Sequence, residues 1–388
     1  MNKIFKKIIF VISIIFLLYP HVSSEEKIKI GLLVPLTGDD SNLGQSIIKA
    51  TKMALKDIGI DDIEIYPKDT NSNPTQTLKS ASEFKDMGIS IVIGPVFYKN
   101  LIYLNEVDNI TFLSLTNKTI NLPKNVISTG INATSQLNTI KKFIESNEIK
   151  KTIFFTPKVD YEAEIKKGIK QSKIKIFKYH IYDTEPTELT KQIEKITNYK
   201  VRKQNVLDEI KRIENSDLSE INKKKRIEKL EKRYTLGNLN FDSIIISDFD
   251  ESLKSVITSL LYTDVLPEDK YIITFNQWFN KSLIQEKTLQ PLYYPSINKK
   301  NLNKFNNSFY KEYNEKPNHL CLLSYDLVGL IYYLSIKNDI SEINNLFKSK
   351  NSFKGKMGIF DVENNKINHR LSFYLINQSK IKEIFWFF

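Results

Sequence analysis

Short, wholly apolar runs that alternate with segments of helical spacing constrain this chain more than any other feature. Ile30 to Leu36 reads Ile-Gly-Leu-Leu-Val-Pro-Leu, continuously apolar after the alternation of Lys27 to Ile30. Such a run suits a strand buried on both faces, and that strand needs helices above and below it. Helical spacing follows at once, with Ile47, Ala50, Ala54 and Ile58 inside the segment Leu43 to Ile58. The rhythm continues with a strand over Ile63 to Tyr66, a helix over Thr75 to Met87, and a strand over Ser90 to Ile93 ending at Gly94-Pro95. A helix over Tyr98 to Val107 and a strand over Thr111 to Ser114 come next. Strands alternating with helices in this order predict a mostly parallel sheet flanked by helices.

The pattern restarts after Ser135. Helices are expected over Gln136 to Asn147, Tyr161 to Gln171 and Pro186 to Tyr199, and strands over Thr152 to Thr156 and Ile174 to Tyr182. Further on, Asp242 to Ser247 and Tyr271 to Phe275 read as strands around a helix over Glu251 to Thr263. Asn301 to Tyr313 and Leu320 to Lys337 are helical, and the tail from Lys356 turns to short strands with turns at Glu363-Asn364-Asn365 and Asn377-Gln378. With 388 residues the chain exceeds what one core usually serves, so the expected fold is α/β with two lobes. The segment Val201 to Tyr234 differs in kind: dense in charge, with Val206, Ile210, Ile213, Ile227 and Leu230 at helical spacing on either side of Asn215-Ser216-Asp217. It predicts an αα-hairpin inserted in the second lobe, with Asp217 and Glu220 as a capping box for its second helix.

Ahead of all this, Met-Asn-Lys-Ile-Phe-Lys-Lys precedes an apolar run from Ile8 to Leu18 and then Tyr-Pro-His-Val-Ser-Ser. Residues 1–24 therefore read as a secretory signal peptide cut after Ser24, with an apolar run too short for a comfortable membrane span. The expected location is the periplasm, with no transmembrane segment after cleavage. Cys321 is the only cysteine, which leaves no disulfide and no lipid-carrying cysteine at the cut. Loss of Lys3, Lys6 and Lys7 lowers the formal charge from +12 to +9, and export separates the rest from nucleic acid. That excess is either a solvated lysine-rich face or a surface for an acidic cell-wall polymer, an anionic membrane face or an acidic partner domain. His180, His319 and His369 lack metal-ligand spacing, no G-x-S-x-G or Cys-His arrangement occurs, and Gly31, Gly38 and Gly44 are not spaced to cradle a phosphate. No catalysis, metal or cofactor is expected.

Ile30 to Gly38, then Gly44, Ala50 and Ala54, resemble the opening of the type 1 periplasmic binding proteins, the leucine/isoleucine/valine-binding class. Lys68-Asp69-Thr70 with Asn73-Pro74, Val92-Ile93-Gly94-Pro95, and Leu323 to Val328 are similar to later segments of that family, in the same order. The resemblance implies lobe one over 25–135 plus 276–345, lobe two over 136–275 plus 346–388 with the hairpin at 201–234, three hinge crossings, and a ligand between the lobes. Its function would be that of a solute receptor for an amino acid or related small molecule, passing it to a transporter permease. Tyr234 to Asp242, placed after a charged hairpin, resembles instead the branch of penicillin-binding protein activators. That branch implies a scaffold that binds and regulates a peptidoglycan synthase.

In open parallel sheets ligands sit beyond the carboxyl ends of the strands, near helix N-termini. The candidates at those exits are Thr37, Tyr98, Ser114, Thr116 and Asn117 in lobe one, and Tyr161 and Asp248 in lobe two, with Asn276 at an expected hinge crossing. Each residue type serves equally well as a helix cap or turn former. The resemblance places a small hydroxyl residue four positions after Gly94, where this chain has Tyr98, so an amino-acid pocket of the family's usual shape is not expected. Asp160, Tyr161 and Asp248 are the possible partners for an ammonium group.

Overall fold

A computed structural model describes residues 27–59, 62–337 and 345–385, so the leader read over 1–24 lies outside the described residues. The first sheet contains β1 (Ile28–Val34), β2 (Ile63–Asp69), β3 (Ile91–Ile93), β4 (Thr111–Ser114) and β5 (Val126–Ser128), all parallel, in the order β2-β1-β3-β4-β5. Helices α1 (Ser41–Ile58) and α2 (Pro74–Asp86) cover its two faces. The alternation along β1 states why: Ile30, Leu32 and Val34 enter one core cluster with α1, whereas Leu33 enters the other with Phe84 of α2. Asn73 begins α2 by accepting hydrogen bonds from Thr75 N and Gln76 N at 2.9 and 3.1 Å, with Pro74 in the first turn where its missing N–H costs nothing.

The helix expected over Tyr98 to Val107 is two 3₁₀ turns, Tyr98–Leu101 and Leu104–Glu106. Tyr98, Leu101, Leu104 and Val107 lie three residues apart, the period of a 3₁₀ helix, and this spacing brings Leu101, Leu104 and Val107 into one core.

The second sheet has seven strands in the order β15-β14-β10-β9-β8-β6-β7. Its parallel part is β6 (Thr152–Pro157), β7 (Lys178–Tyr182), β8 (Ser243–Ile246), β9 (Tyr271–Thr274) and β10 (Leu292–Ser296). The antiparallel strands β14 (Ser372–Asn377) and β15 (Lys380–Phe385) extend it. Helices α3 (Ala133–Ser146) and α4 (Glu162–Ser172) line one face, and α5 (Pro186–Ile196) and α8 (Asp250–Tyr262) the other. The inserted hairpin is α6 (Tyr199–Glu214) and α7 (Glu220–Glu231). A short α9 (Lys281–Gln285) precedes β10, and α10 (Lys299–Tyr313) and α11 (His319–Lys337) follow it. Three antiparallel strands, β11 (Asn351–Lys354), β12 (Ile359–Glu363) and β13 (Lys366–Arg370), lie between α11 and β14.

The lobe boundaries differ from those expected at 276–345 and 346–388. β10 is hydrogen-bonded between β9 and β14, so the chain stays in the second sheet until Ser296, and α10 and α11 then pack on the first core. Strands β11 to β13 also cover the first core, through Phe360, Val362 and Ile367, and the return to the second sheet comes near Leu371. Pro291 and Pro295 make β10 read as a non-strand, because proline is rarely tolerated inside a sheet. Turn signals locate the tail's strands but carry no information about which core they cover.

α11 is long and apolar enough to cross a membrane by length and composition. It packs along α1 in the lobe-one core, with Cys321, Leu322, Leu327, Val328 and Ile331 buried. Burial pushes the Cys321 thiol up to about 12, as befits a core residue without nucleophilic character. The capping box expected for α7 does not form, since Ser219 occupies the cap without a side-chain bond. At its base the hairpin is fastened by buried Arg202, which donates to Thr263 O, Asp264 O and Thr235 Oγ1 at 3.1, 3.3 and 2.6 Å.

Gly44 in the first turns of α1 is required sterically: a Cβ there would lie 1.7 Å from the Pro35 carbonyl oxygen. Backbone has no rotamer to yield, so Gly44→Ala is expected to cost about 3 kcal/mol or more, the upper end of overpacking penalties. Urea unfolding followed by circular dichroism measures it, and a loss under about 1 kcal/mol would contradict the close approach.

Candidate functional site

The exits of the first sheet are organised by hydrogen bonds within their own lobe. Asp69, the last residue of β2, accepts from Leu36 N (2.7 Å), Thr37 Oγ1 (2.5 Å), Thr37 N (3.3 Å) and Asn71 N (2.8 Å). Partial burial opposes the charged carboxylate, but the four donors outweigh it and hold the carboxyl below its ordinary range. Thr37 is thus an exposed loop residue tied to Asp69. Ser114 is fully buried and donates to Pro95 O at 2.9 Å, while its own carbonyl accepts from Thr129 Oγ1 at 2.8 Å. The buried Thr116 receives Ser128 Oγ on its carbonyl at 2.7 Å and Lys118 N on its hydroxyl at 3.2 Å, and neighbouring Asn117 is exposed. Tyr98 donates its hydroxyl to Ile120 O at 3.0 Å, and Lys118 Nζ sits 4.7 Å from its ring centre. Its ring borders a hollow of about 1060 Å³ shared with Ile102 and Leu122, on the side of lobe one.

At the second sheet, Tyr161 and Asp248 come together with a residue the sequence left aside, Tyr182 at the end of β7. Asp248 accepts from the Tyr182 hydroxyl and from Phe249 N, and Tyr161 donates to Ser247 O at 2.8 Å. Burial holds the Asp248 carboxyl above the ordinary range, against those two donors, which favour its charge. Burial likewise raises both tyrosines, reinforced in each by the Asp248 charge, so both hydroxyls keep their protons. Thr156 and Ser247 share a 2.9 Å hydroxyl pair beneath them.

The boundary between lobes is braced by buried polar residues. Asn276 donates its N–H to Gln136 Oε1 at 2.7 Å, and its Oδ1 accepts from Ser296 Oγ and Trp278 N at 2.8 and 3.0 Å. The Asn276 Nδ2 is buried and has no hydrogen-bond partner among the described residues. Asn132, which caps α3, reaches Ile367 O and Asn368 Oδ1, and the buried His369 ring bonds Thr129 O at 2.7 Å. Burial pushes that imidazole down to about 4, so it is neutral and its Nε2 donates to the carbonyl.

A direct tie between the strand exits of the two lobes rests on Glu164, in the first turn of α4. Its carboxylate accepts from Thr119 N, Ile120 N and Thr119 Oγ1, each at 2.7 Å, and Lys167 Nζ donates to Thr119 O at 2.6 Å. Sequence reading missed Glu164 because an acidic residue in a helix's first turn already has a sufficient role beside the helix dipole. Only the neighbouring lobe reveals the second role.

Residues 27–201 match the family model described as periplasmic binding protein. The substrate-binding protein LivJ of a branched-chain amino acid transporter from Streptococcus pneumoniae, solved with isoleucine, is similar over 92% of this chain and 98% of its own, at 18% identity and TM-score 0.54. The C-domain of LpoA from Haemophilus influenzae, a regulator of PBP1A, covers 92% and 100% at 14% identity and TM-score 0.61. Against full-length LpoA the shares are 93% and 59%, at 15% identity and TM-score 0.63. No curated protein matches in sequence. The fold is that of the type 1 periplasmic binding proteins. The matched family is described as one of periplasmic binding proteins, and both a transporter's substrate-binding protein and a synthase regulator share the fold.

In this periplasmic-binding-protein fold, Asp248→Asn removes a buried charge while leaving an oxygen for Tyr182. A carboxyl whose folded pKa is raised binds its proton more tightly when folded, so its protonated form contributes stability at low pH that is lost as pH rises through the raised value. The variant is therefore expected to gain stability relative to the parent at neutral pH, with the gap closing as pH falls to the ordinary aspartate range. Urea titrations at several pH values measure it, and a pH-independent gap would refute the assignment.

Proposed function

We propose that this protein is an extracytoplasmic binding protein that works as a latched two-lobed scaffold for an envelope protein of the peptidoglycan-synthase kind. The observation that carries the reading is the Glu164 latch, with three hydrogen bonds to the Thr119-Ile120 loop. Charge-assisted bonds of this type contribute about 1.5 to 3 kcal/mol each. A ligand shifts a conformational equilibrium only by its differential affinity for the two states. Lobes already joined by their own side chains leave a solute less closure free energy to gain. Tyr98 supports the same reading, because its ring and Lys118 stand beside the β4 exit. The fold likeness to LpoA, described as a regulator of PBP1A, agrees with it.

A solute receptor is the second reading, favoured by the unpartnered Asn276 Nδ2 and by the isoleucine held in the similar LivJ. A receptor at a hundredfold excess of solute over Kd gains about 2.7 kcal/mol, a shift of several degrees in Tm. For protein beginning at Glu25, the expected result is no shift with amino acids, short peptides or muropeptides at millimolar concentration. A peptidoglycan synthase, identified by mass spectrometry, should be retained from solubilised envelopes. Glu164→Ala should enlarge the radius of gyration in small-angle scattering as the lobes part. A clear shift with one amino acid, together with no retained synthase, would establish the receptor instead.

A further inference from the structure

The outer face of α7 is used by neither the cores, the hinge nor the strand exits. This helix buries no residue, and only Lys223, Ile227 and Leu230 are half-covered, on the side facing α6. Helical spacing puts Ile221, Lys225 and Lys232 on the opposite stripe, with Glu228 among them and Lys224 and Lys229 alongside. Between residues 220 and 233 there are seven cations and three carboxylates. Lys223 is paired with Glu220 at 3.1 Å. The side chains of Lys224, Lys225, Arg226, Lys229, Lys232 and Arg233 make no ion pair or hydrogen bond among the described residues.

Two features decide what such a face fits. Five of the seven cations are lysines, and lysine is depleted in protein interfaces, whereas flexible ammonium groups suit a diffuse array of phosphates. Ile221 stands 82% exposed within the cationic stripe, and Tyr234 beyond the helix is 77% exposed. An aliphatic residue among lysines gains nothing in water but buries its surface in the headgroup region of a bilayer, where a tyrosine also sits well. We propose that α7 docks the protein onto an anionic phospholipid bilayer, with the lysines on lipid phosphates and Ile221 inserted between headgroups. Arg202, fixed at the hairpin base, makes the pair of helices a firm arm rather than a loose tether. This docking is independent of what the cleft or the lobes bind.

The experiment is vesicle flotation of the protein beginning at Glu25, with vesicles of phosphatidylcholine alone or with a third phosphatidylglycerol, at low and physiological salt. Flotation is expected only with phosphatidylglycerol and should weaken as salt rises. Combined K225E, K229E and K232E should reduce the affinity by on the order of a hundredfold or more, at about fivefold for each lysine lost. Ile221→Ser should reduce it severalfold without changing charge, and circular dichroism should show all variants folded. No flotation with phosphatidylglycerol overturns the proposal. Binding indifferent to Ile221→Ser and equal on dextran sulfate beads also overturns it, in favour of generic polyanion attraction.

Discussion

Two mostly parallel sheets, each covered on both faces, set the terms for the rest of the molecule. Ile153 and Phe155 of β6 point into one core and Phe154 into the other, and Ile244, Ile245 and Ile246 of β8 divide in the same way. No polar side chain finds an easy place along such strands, because an unpaired polar group there costs more than an apolar one contributes. Chemistry is driven to the strand exits, where backbone donors and short loops can satisfy it. Asp69, Ser114, Thr116 and Asp248 all sit at such ends.

At those ends the polar groups serve one another before they serve a ligand. Asp69 gathers the β1 exit, Ser114 closes on Pro95, Tyr182 covers Asp248, and Glu164 spans to the other lobe. The hinge carries a similar network in Asn132, Gln136, Asn276 and His369. A boundary built from directional bonds has discrete arrangements, unlike an apolar contact that slides. This is the physical ground for regarding the lobes as a positioned surface. Within this hinge network the Asn276 Nδ2 is a buried donor that finds no acceptor among the described residues.

The hairpin follows the opposite logic. It contributes Tyr199, Arg202, Val206 and Ile213 to buried positions at its base and inner side, and beyond them its second helix is all surface. A segment that adds so little to a core persists for what its surface meets, or at no cost to folding. Its charge separates it from the lobes as clearly as its position does.

Local pattern determined a great deal. Alternating apolar runs and helical spacing gave the α/β class, the restart of the rhythm after Ser135, the inserted hairpin and the core position of Cys321, since each depends on neighbours within a few residues. Of the candidate residues read at strand exits, Tyr161 and Asp248 lie together around Ser247 and Tyr182, Thr37, Ser114 and Thr116 are hydrogen-bonded within lobe one, and Asn117 is an exposed loop position. Only the tertiary structure decided that β10 joins the second sheet and β11 to β13 the first core, that Tyr182 shields Asp248, and that Glu164 grips Thr119. Each of those is a pairing between residues remote in the chain. Periodicity tells which side of an element is apolar, but a strand's partner and a carboxylate's donors are chosen by packing, which has no local signature.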